Sequence, residues 1–186
     1  MKLTFLNAAI PLTKSYTKLP DGTIGKSSYP NVWEVTSITE TARDLVDFEK
    51  LLNRHAAQGN CLLKGNVLRD LVSESRKDST DRNAPTEWLC LDIDGIDPLF
   101  TDHFADVVHT IKVTPDTILE AMGLKDVSYI LQWSGSQNIG SNALRCHIFM
   151  MLTKGVSAPL IKQWLVQKNH EVPILRDHQS LTKTGN

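Results

Sequence analysis

Trp88-Leu89-Cys90-Leu91-Asp92-Ile93-Asp94-Gly95 is the stretch that decides how the rest of the chain is read. Its residues alternate as a strand half-buried in a sheet would have them alternate. Leu89, Leu91 and Ile93 fall on one face and Asp92 and Asp94 on the other, because successive side chains of a strand point to opposite sides. The two carboxylates then stand roughly 7 Å apart. At an effective dielectric of about 20 they repel by about 2 kcal/mol. A hard divalent cation bound through oxygen relieves that repulsion. The alternative is a solvated strand end, where the two charges cost little. Asp97, closer to a turn, reads as a cap or turn residue.

Downstream, Pro115 follows Thr114 and opens a helix that runs to Gly123, with Ile118, Leu119 and Met122 on one face. Val127–Trp133 and Leu144–Leu152 read as strands, joined by the small, polar run Ser134-Gly135-Ser136-Gln137-Asn138-Ile139-Gly140-Ser141-Asn142-Ala143. Alternation from Leu144 puts Leu144, Cys146, Ile148 and Met150 on one face and Arg145 and His147 together on the other. Arg offers a planar fork and His a tunable donor, both suited to phosphate oxygens. A Ser/Gly turn ahead of them supplies hydroxyls and backbone N–H groups for an anion. A polar loop feeding a half-exposed strand accounts for each of these residues singly. A last helix starts near Ser157 and is expected to bury Leu160, Ile161, Trp164 and Leu165.

Upstream, Val72–Glu87 has almost no apolar residue and reads as a loop or connector. Cys61-Leu62-Leu63 is a buried strand candidate. Ser37 with Glu40 has the form of a capping box, followed by an apolar stripe of Ala42, Leu45, Val46, Phe48, Leu51 and Leu52, with Gly59 as the stop. Asn31–Thr36 alternates as a short strand, Pro20-Asp21-Gly22 is a turn, and Met1–Pro11 reads as a first strand and not a signal peptide. The predicted organisation is an N-terminal α/β subdomain over 1–71, a polar connector over 72–87 and a catalytic subdomain over 88–186 that packs with 1–71 into one compact unit. The order β, α, β, β, α from residue 88 predicts an α+β fold, helices on one face of a largely antiparallel sheet, the other face free for chemistry.

The chain has 186 residues, 41% hydrophobic and 22% charged, with 20 Lys+Arg against 21 Asp+Glu. That length and composition fit a globular protein with a real core. A net charge of −1 excludes nucleic-acid binding by bulk charge, so any phosphate binding has to be local. No apolar run approaches the roughly 20 residues of a membrane span. Cys61, Cys90 and Cys146 lie far apart among apolar neighbours, without zinc spacing, as buried thiols of a reducing cytoplasm would.

Leu91-Asp92-Ile93-Asp94, followed by Ser134-Gly135-Ser136 and then Arg145-Cys146-His147-Ile148, resembles the first two motifs of the archaeo-eukaryotic primase superfamily, which includes primase-polymerases of phages and mobile elements. The likeness covers roughly residues 60 to 165, with about forty residues between the motifs. It implies an RRM-like catalytic sheet and a nucleotidyltransferase acting on nucleoside triphosphates along a single-stranded DNA template, with a helicase domain or subunit as a partner. It implies that Asp92 and Asp94 hold catalytic Mg2+ or Mn2+, that His147 is catalytic, and that Ser134, Ser136, Arg145 and His147 hold the phosphates. The family's third motif supplies one more carboxylate. After His147 only Glu171 and Asp177 are acidic, and neither sits on a clear strand, so the third carboxylate is expected beyond Asn186 in a longer protein.

Two other classes compete. Leu91-Asp92-Ile93-Asp94-Gly95 also resembles the nucleophile motif of haloacid-dehalogenase-like phosphatases, with Asp92 as nucleophile, Asp94 as acid/base, Ser134 on the phosphate and Lys154 as the later lysine. That reading lacks a late acidic pair and gives Arg145 and His147 no task. The third class is a replication-initiator or nucleic-acid-binding module without catalysis. Lys64 and Arg76 are candidate nucleotide or template contacts against the simpler reading of solvated cations. Trp133 is either a base-stacking platform or the apolar end of a strand. His55, His103, His109, His170 and His178 have no ligand spacing and read as structural or exposed.

Overall fold

The computed structural model describes residues 1–28, 31–81, 83–104, 107–139 and 141–176. The chain starts with β1 (Lys2–Asn7), β2 (Ser15–Lys18), β3 (Ile24–Ser27), β4 (Thr36–Thr41) and α1 (Leu45–Ala57). Three short strands follow, β5 (Cys61–Leu62), β6 (Asn66–Val67) and β7 (Thr80–Asp81), and then the long β8 (Pro85–Ile96). Next come β9 (Leu99–Phe104), β10 (Val107–Lys112), α2 (Pro115–Ala121) and β11 (Ile130–Trp133). The described chain closes with β12 (Leu144–Ser157), α3 (Ala158–Glu171) and α4 (Pro173–Arg176). This is an α+β protein with mostly antiparallel sheets and, among the described residues, four helices.

Two compact units divide the chain: Met1–Cys90 with Phe149–Leu160, and Leu91–Ile148 with the chain from Ile161 onward. In the first, β1 is the middle strand of the sheet β4-β1-β5, antiparallel to both neighbours. Leu3, Thr4, Phe5 and Leu6 are all buried, so β1 is covered on both faces, with the Thr4 hydroxyl 3.2 Å from that of Thr39. Leu6, Val35, Leu63 and Leu71 form one core cluster. Phe48 of α1 is fully buried and meets Trp88 and Phe149 edge to face, with centroids 5.9 and 5.7 Å away. Buried His55 stacks on Phe5 at 3.7 Å and places Nε2 2.6 Å from Glu40. Asn60 Nδ2 lies 2.9 Å from His55 Nδ1, Asn7 donates to Asn60 at 2.7 Å, and Arg54 donates to Glu40. A chain of polar partners thus runs beneath β1.

Several expectations for this half are corrected. Ser37 and Glu40 do not cap a helix. Both lie in β4, where Ser37 faces Leu6 and Glu40 faces Leu3. The ladder with β1 outweighs the local capping signal, and Asp44 caps α1 instead, accepting from the Asp47 N–H at 2.8 Å. Of the expected stripe, Phe48 and Ala42 are buried, whereas Val46 is exposed. The strand expected over Asn31–Thr36 forms at Thr36–Thr41; Val35 makes a single bridge to Glu74 and Trp33 is 74% exposed. The polar 72–87 stretch is not a featureless loop, since β7 pairs with β6 and β8 already begins at Pro85. The Pro20-Asp21-Gly22 turn does close a hairpin, β2–β3, with Asp21 accepting from the Thr23 N–H at 2.9 Å.

In the second unit α2 forms as its sequence dictates. Thr114 and Thr117 exchange reciprocal side-chain-to-backbone hydrogen bonds, Pro115 opens the first turn, and Ile118, Leu119 and Met122 are buried. A hairpin of β9 and β10, absent from the expected β, α, β, β, α order, is inserted before it. A three-stranded sheet runs in the order β11-β12-β8, with β12 central. The strand expected at Val127 starts at Ile130, and β12 extends to Ser157, past the expected Leu152. The last helix starts where expected but buries no residue. Leu160 is exposed, while Ile161, Trp164 and Leu165 are half-buried; Val172, Ile174 and Leu175, just after it, are the buried residues.

Candidate functional site

Strand β8 alternates as its sequence requires. Leu89, Leu91, Ile93 and Ile96 are buried, while Asp92 and Asp94 are exposed on the opposite face. In β12, Leu144, Cys146, Ile148 and Met150 are buried and Arg145 and His147 are half-buried. Because β12 lies beside β8, the two polar rows meet across the strands. Arg145 Nη1 donates to Asp94 Oδ1 at 2.8 Å, and His147 Nε2 lies 3.3 Å from Asp92 Oδ1. Two acids and two bases thereby form a pair of cross-strand contacts on one sheet face. The repulsion anticipated between the carboxylates is relieved on the Asp94 side by the Arg145 guanidinium.

The Ser134–Ile139 turn is tied to the same strand. The Ser134 N–H donates to the Arg145 carbonyl at 3.0 Å, and Gln137 Oε1 accepts the Arg145 N–H at 2.6 Å. Within the turn the Gln137 N–H donates to the Ser134 carbonyl at 2.9 Å and the Ile139 N–H to the Ser136 carbonyl at 3.1 Å. Ser134 and Ser136 hydroxyls lie 3.0 Å apart. The chain passes through the left-handed region at Asn138 (φ 61°), a conformation Asn tolerates better than most residues. The turn, Arg145 and both carboxylates are thereby one connected assembly. Arg145 Nε is buried and has no hydrogen-bond partner among the described residues.

Gln137 and Gly95 are site residues that sequence reasoning passed over. Gly95 has φ +98°, and a Cβ there would lie 3.9 Å from Arg145 Nη2. An isolated glycine directly after Asp94 in an apolar strand was the available signal, since it marks special backbone or a close approach. Cys146, beneath Arg145 and His147 in sequence, is fully buried, and its thiol is pushed up to about 11, first by burial and then by the charge of Asp92.

The carboxylate pair supplies hard oxygen donors of the kind Mg2+ and Mn2+ prefer. A magnesium ion commonly takes only one or two protein carboxylates and completes its shell with water and substrate phosphates. The pair fits that role. Among the described residues no three His, Cys, Asp or Glu side chains gather into a metal-binding group. Glu171 accepts from Gln167 at 2.5 Å and from Lys168 at 3.2 Å on α3. Asp177 and His178 lie outside the described residues. Trp133 is 54% exposed, so it is not the buried end of β11. Lys64 and Arg76 belong to the first compact unit, as does the exposed Lys154. His55 is structural, within the Glu40 network, and His170 is exposed; the side chains of His103 and His109 lie outside the described set. No described helix is long and apolar enough to cross a membrane. Compared with models of known protein families, with curated proteins and with solved structures, the chain finds no match.

Proposed function

We propose that this chain is the catalytic core of a primase-polymerase, a metal-dependent nucleotidyltransferase that joins (d)NTPs to a 3′-hydroxyl on a single-stranded DNA template in the cytoplasm. The observation that carries this reading is the meeting of Asp92 and Asp94 with His147 and Arg145 on one face, beside a Ser134–Ser136 turn bonded to Arg145. In this reaction the 3′-oxygen attacks the α-phosphorus and pyrophosphate leaves. Divalent cations bound there supply Lewis acidity toward the phosphoryl oxygens and the attacking hydroxyl. Asp92 and Asp94 hold the cation side of the site. Arg145 presents its planar fork to the triphosphate and His147 donates a hydrogen bond to it, both offsetting charge that builds on the leaving group. Ser134 and Ser136 offer hydroxyls, 3.0 Å apart, to the phosphates. On this reading the three-stranded sheet and its helices form an RRM-like catalytic module, and a helicase domain or subunit is the natural partner.

A second reading is favoured by the same ion pairs. Because each of the four side chains has a partner across the strands without a ligand, the face also suits a non-catalytic replication-initiator module. Calorimetry with dGTP and ATP, with and without Mn2+, separates the two. The primase-polymerase reading expects triphosphate binding that Mn2+ strengthens, a gain that disappears in the Asp92→Ala/Asp94→Ala double variant, and, in a longer protein that carries the third carboxylate, primer extension lost in Asp92→Asn. His147→Ala should weaken triphosphate binding by about tenfold, the loss of one charge-assisted hydrogen bond. Triphosphate affinity that Mn2+ leaves unchanged in the unaltered chain sinks the assignment.

A further inference from the structure

We propose that the site works by partner exchange. Asp92–His147 and Asp94–Arg145 hold each other in the ligand-free protein, and a cation and a polyphosphate enter together by taking one member of each pair. The proposal rests on the functional reading above but adds a property that reading does not contain.

The two pairs use the very groups that a metal phosphate complex needs. Arg145 Nη1 sits 2.8 Å from Asp94 Oδ1 and His147 Nε2 sits 3.3 Å from Asp92 Oδ1. A free divalent cation arriving at the carboxylates meets a guanidinium already at hydrogen-bond distance. A free polyphosphate arriving at Arg145 and His147 meets two carboxylates. Each ligand alone is therefore opposed by the charge its own partner group leaves behind. When both arrive, each carboxylate faces the cation, Arg145 and His147 face the polyphosphate, and no group is left without a partner. Exchange is feasible because the carboxylates are more than half exposed, and ion pairs in such surroundings hold weakly. Arg145 is anchored at its backbone by Ser134 and Gln137, so only its side chain has to turn.

Linkage makes the coupling reciprocal: the factor by which cation tightens polyphosphate equals the factor by which polyphosphate tightens cation. Removing one member of a pair should then have a counterintuitive effect on the opposite ligand. Arg145→Gln frees Asp94, so free Mn2+ should bind about tenfold tighter than to the unaltered chain, within the usual range of coupling between sites. Asp94→Asn frees Arg145, so dGTP in the presence of EDTA should bind tighter by a similar factor. Lys154→Gln and Glu120→Gln make the same charge changes at exposed positions outside the pairs and should shift either affinity by less than about twofold, as expected for screened surface charge.

The experiment is titration calorimetry of the full chain and these four variants with Mn2+ alone and with dGTP in EDTA, each variant first checked by circular dichroism. Reciprocal tightening in Arg145→Gln and Asp94→Asn, absent in the two controls, supports partner exchange. Unchanged or weaker Mn2+ binding in Arg145→Gln overturns it, as does unchanged dGTP binding in Asp94→Asn when the unaltered chain binds dGTP with Mn2+. The functional reading fails separately: Arg145→Gln gaining Mn2+ while the unaltered chain binds no dGTP even with Mn2+ keeps the exchange and removes the nucleotide.

Discussion

Replacing Glu40 by Gln preserves the shape of a side chain and removes one charge from the network under β1. Its carboxylate accepts from Arg54 and from His55 Nε2, the latter at 2.6 Å. Asn60 Nδ2, 2.9 Å from His55 Nδ1, leaves the imidazole proton on Nε2, pointing at Glu40. A glutamine can satisfy only one of these donors with its oxygen and turns an NH2 toward the other. The loss is one charge-assisted hydrogen bond, about 1.5–3 kcal/mol. Arg54 is half exposed, and solvent screening moves the figure toward the middle, about 2 kcal/mol. For a chain of this size that lowers Tm by about 4–8 °C. The pH dependence has a definite sign. The His55 hydrogen bond first, and then Arg54, hold the Glu40 carboxyl below its ordinary value of 4.5. Its contribution is therefore complete above pH 4.5 and is lost as pH falls through the lower folded value. Urea unfolding of both proteins, followed by tryptophan fluorescence at neutral pH and in steps below pH 4.5, should show a gap that closes in acid. A gap below about 0.5 kcal/mol at neutral pH, the size of an ordinary surface change, would refute the reasoning. So would a gap that stays constant in acid.

Three further outcomes follow from local geometry. Cys146 is buried with its thiol pushed up to about 11, so thiol reagents at neutral pH should label it only after unfolding; labelling at the unfolded rate in the native chain contradicts its burial. The same shift makes stability fall as pH rises from 9.0, where the unfolded thiol ionises, toward the folded value. Gly59→Ala should cost more than about 1 kcal/mol in urea unfolding, because φ is +73° and the new Cβ would stand 2.9 Å from Pro11 Cβ. Thr114→Ala removes the hydroxyl that accepts the Thr117 N–H at the start of α2, keeps the bond from its own N–H to the Thr117 hydroxyl, and should cost about 1 kcal/mol by the same measurement.

What could be read from the sequence was what short-range physics decides. Helix α2 is announced by Thr114, Pro115 and Gly123, all within two residues of its ends, and it forms there. The two faces of β8 and β12 follow from alternation alone, so the exposure of Asp92 and Asp94 and the sidedness of Arg145 and His147 were legible. Their pairing was not. Asp94 and Arg145 are 51 positions apart, and only the sheet order, which no local pattern encodes, makes them neighbours. The same limit explains the misread Ser37 and Glu40. Their spacing satisfies a capping box, but β1 pairs with them first, and Asp44 with Asp47 carries the same local logic a few residues later. Two-residue strands such as β6 and β7 are too short for any periodicity to reveal. The stripe on α3 was correctly periodic, yet periodicity states only which residues share a face and not how fully that face is covered.

The way the chain threads its two compact units has a consequence during synthesis. The first unit is completed by Phe149–Leu160, yet its other residues end at Cys90. A ribosome adding about 5–20 residues per second needs about 3–12 s to make the intervening stretch of about sixty residues. Once Trp88 has left the exit tunnel, Trp88 and Phe48 wait about that long for Phe149, one of the rings that meets Phe48. The nascent N-terminal half is therefore a natural client for a chaperone, and codons that slow translation between residues 90 and 149 should lower the yield of folded protein.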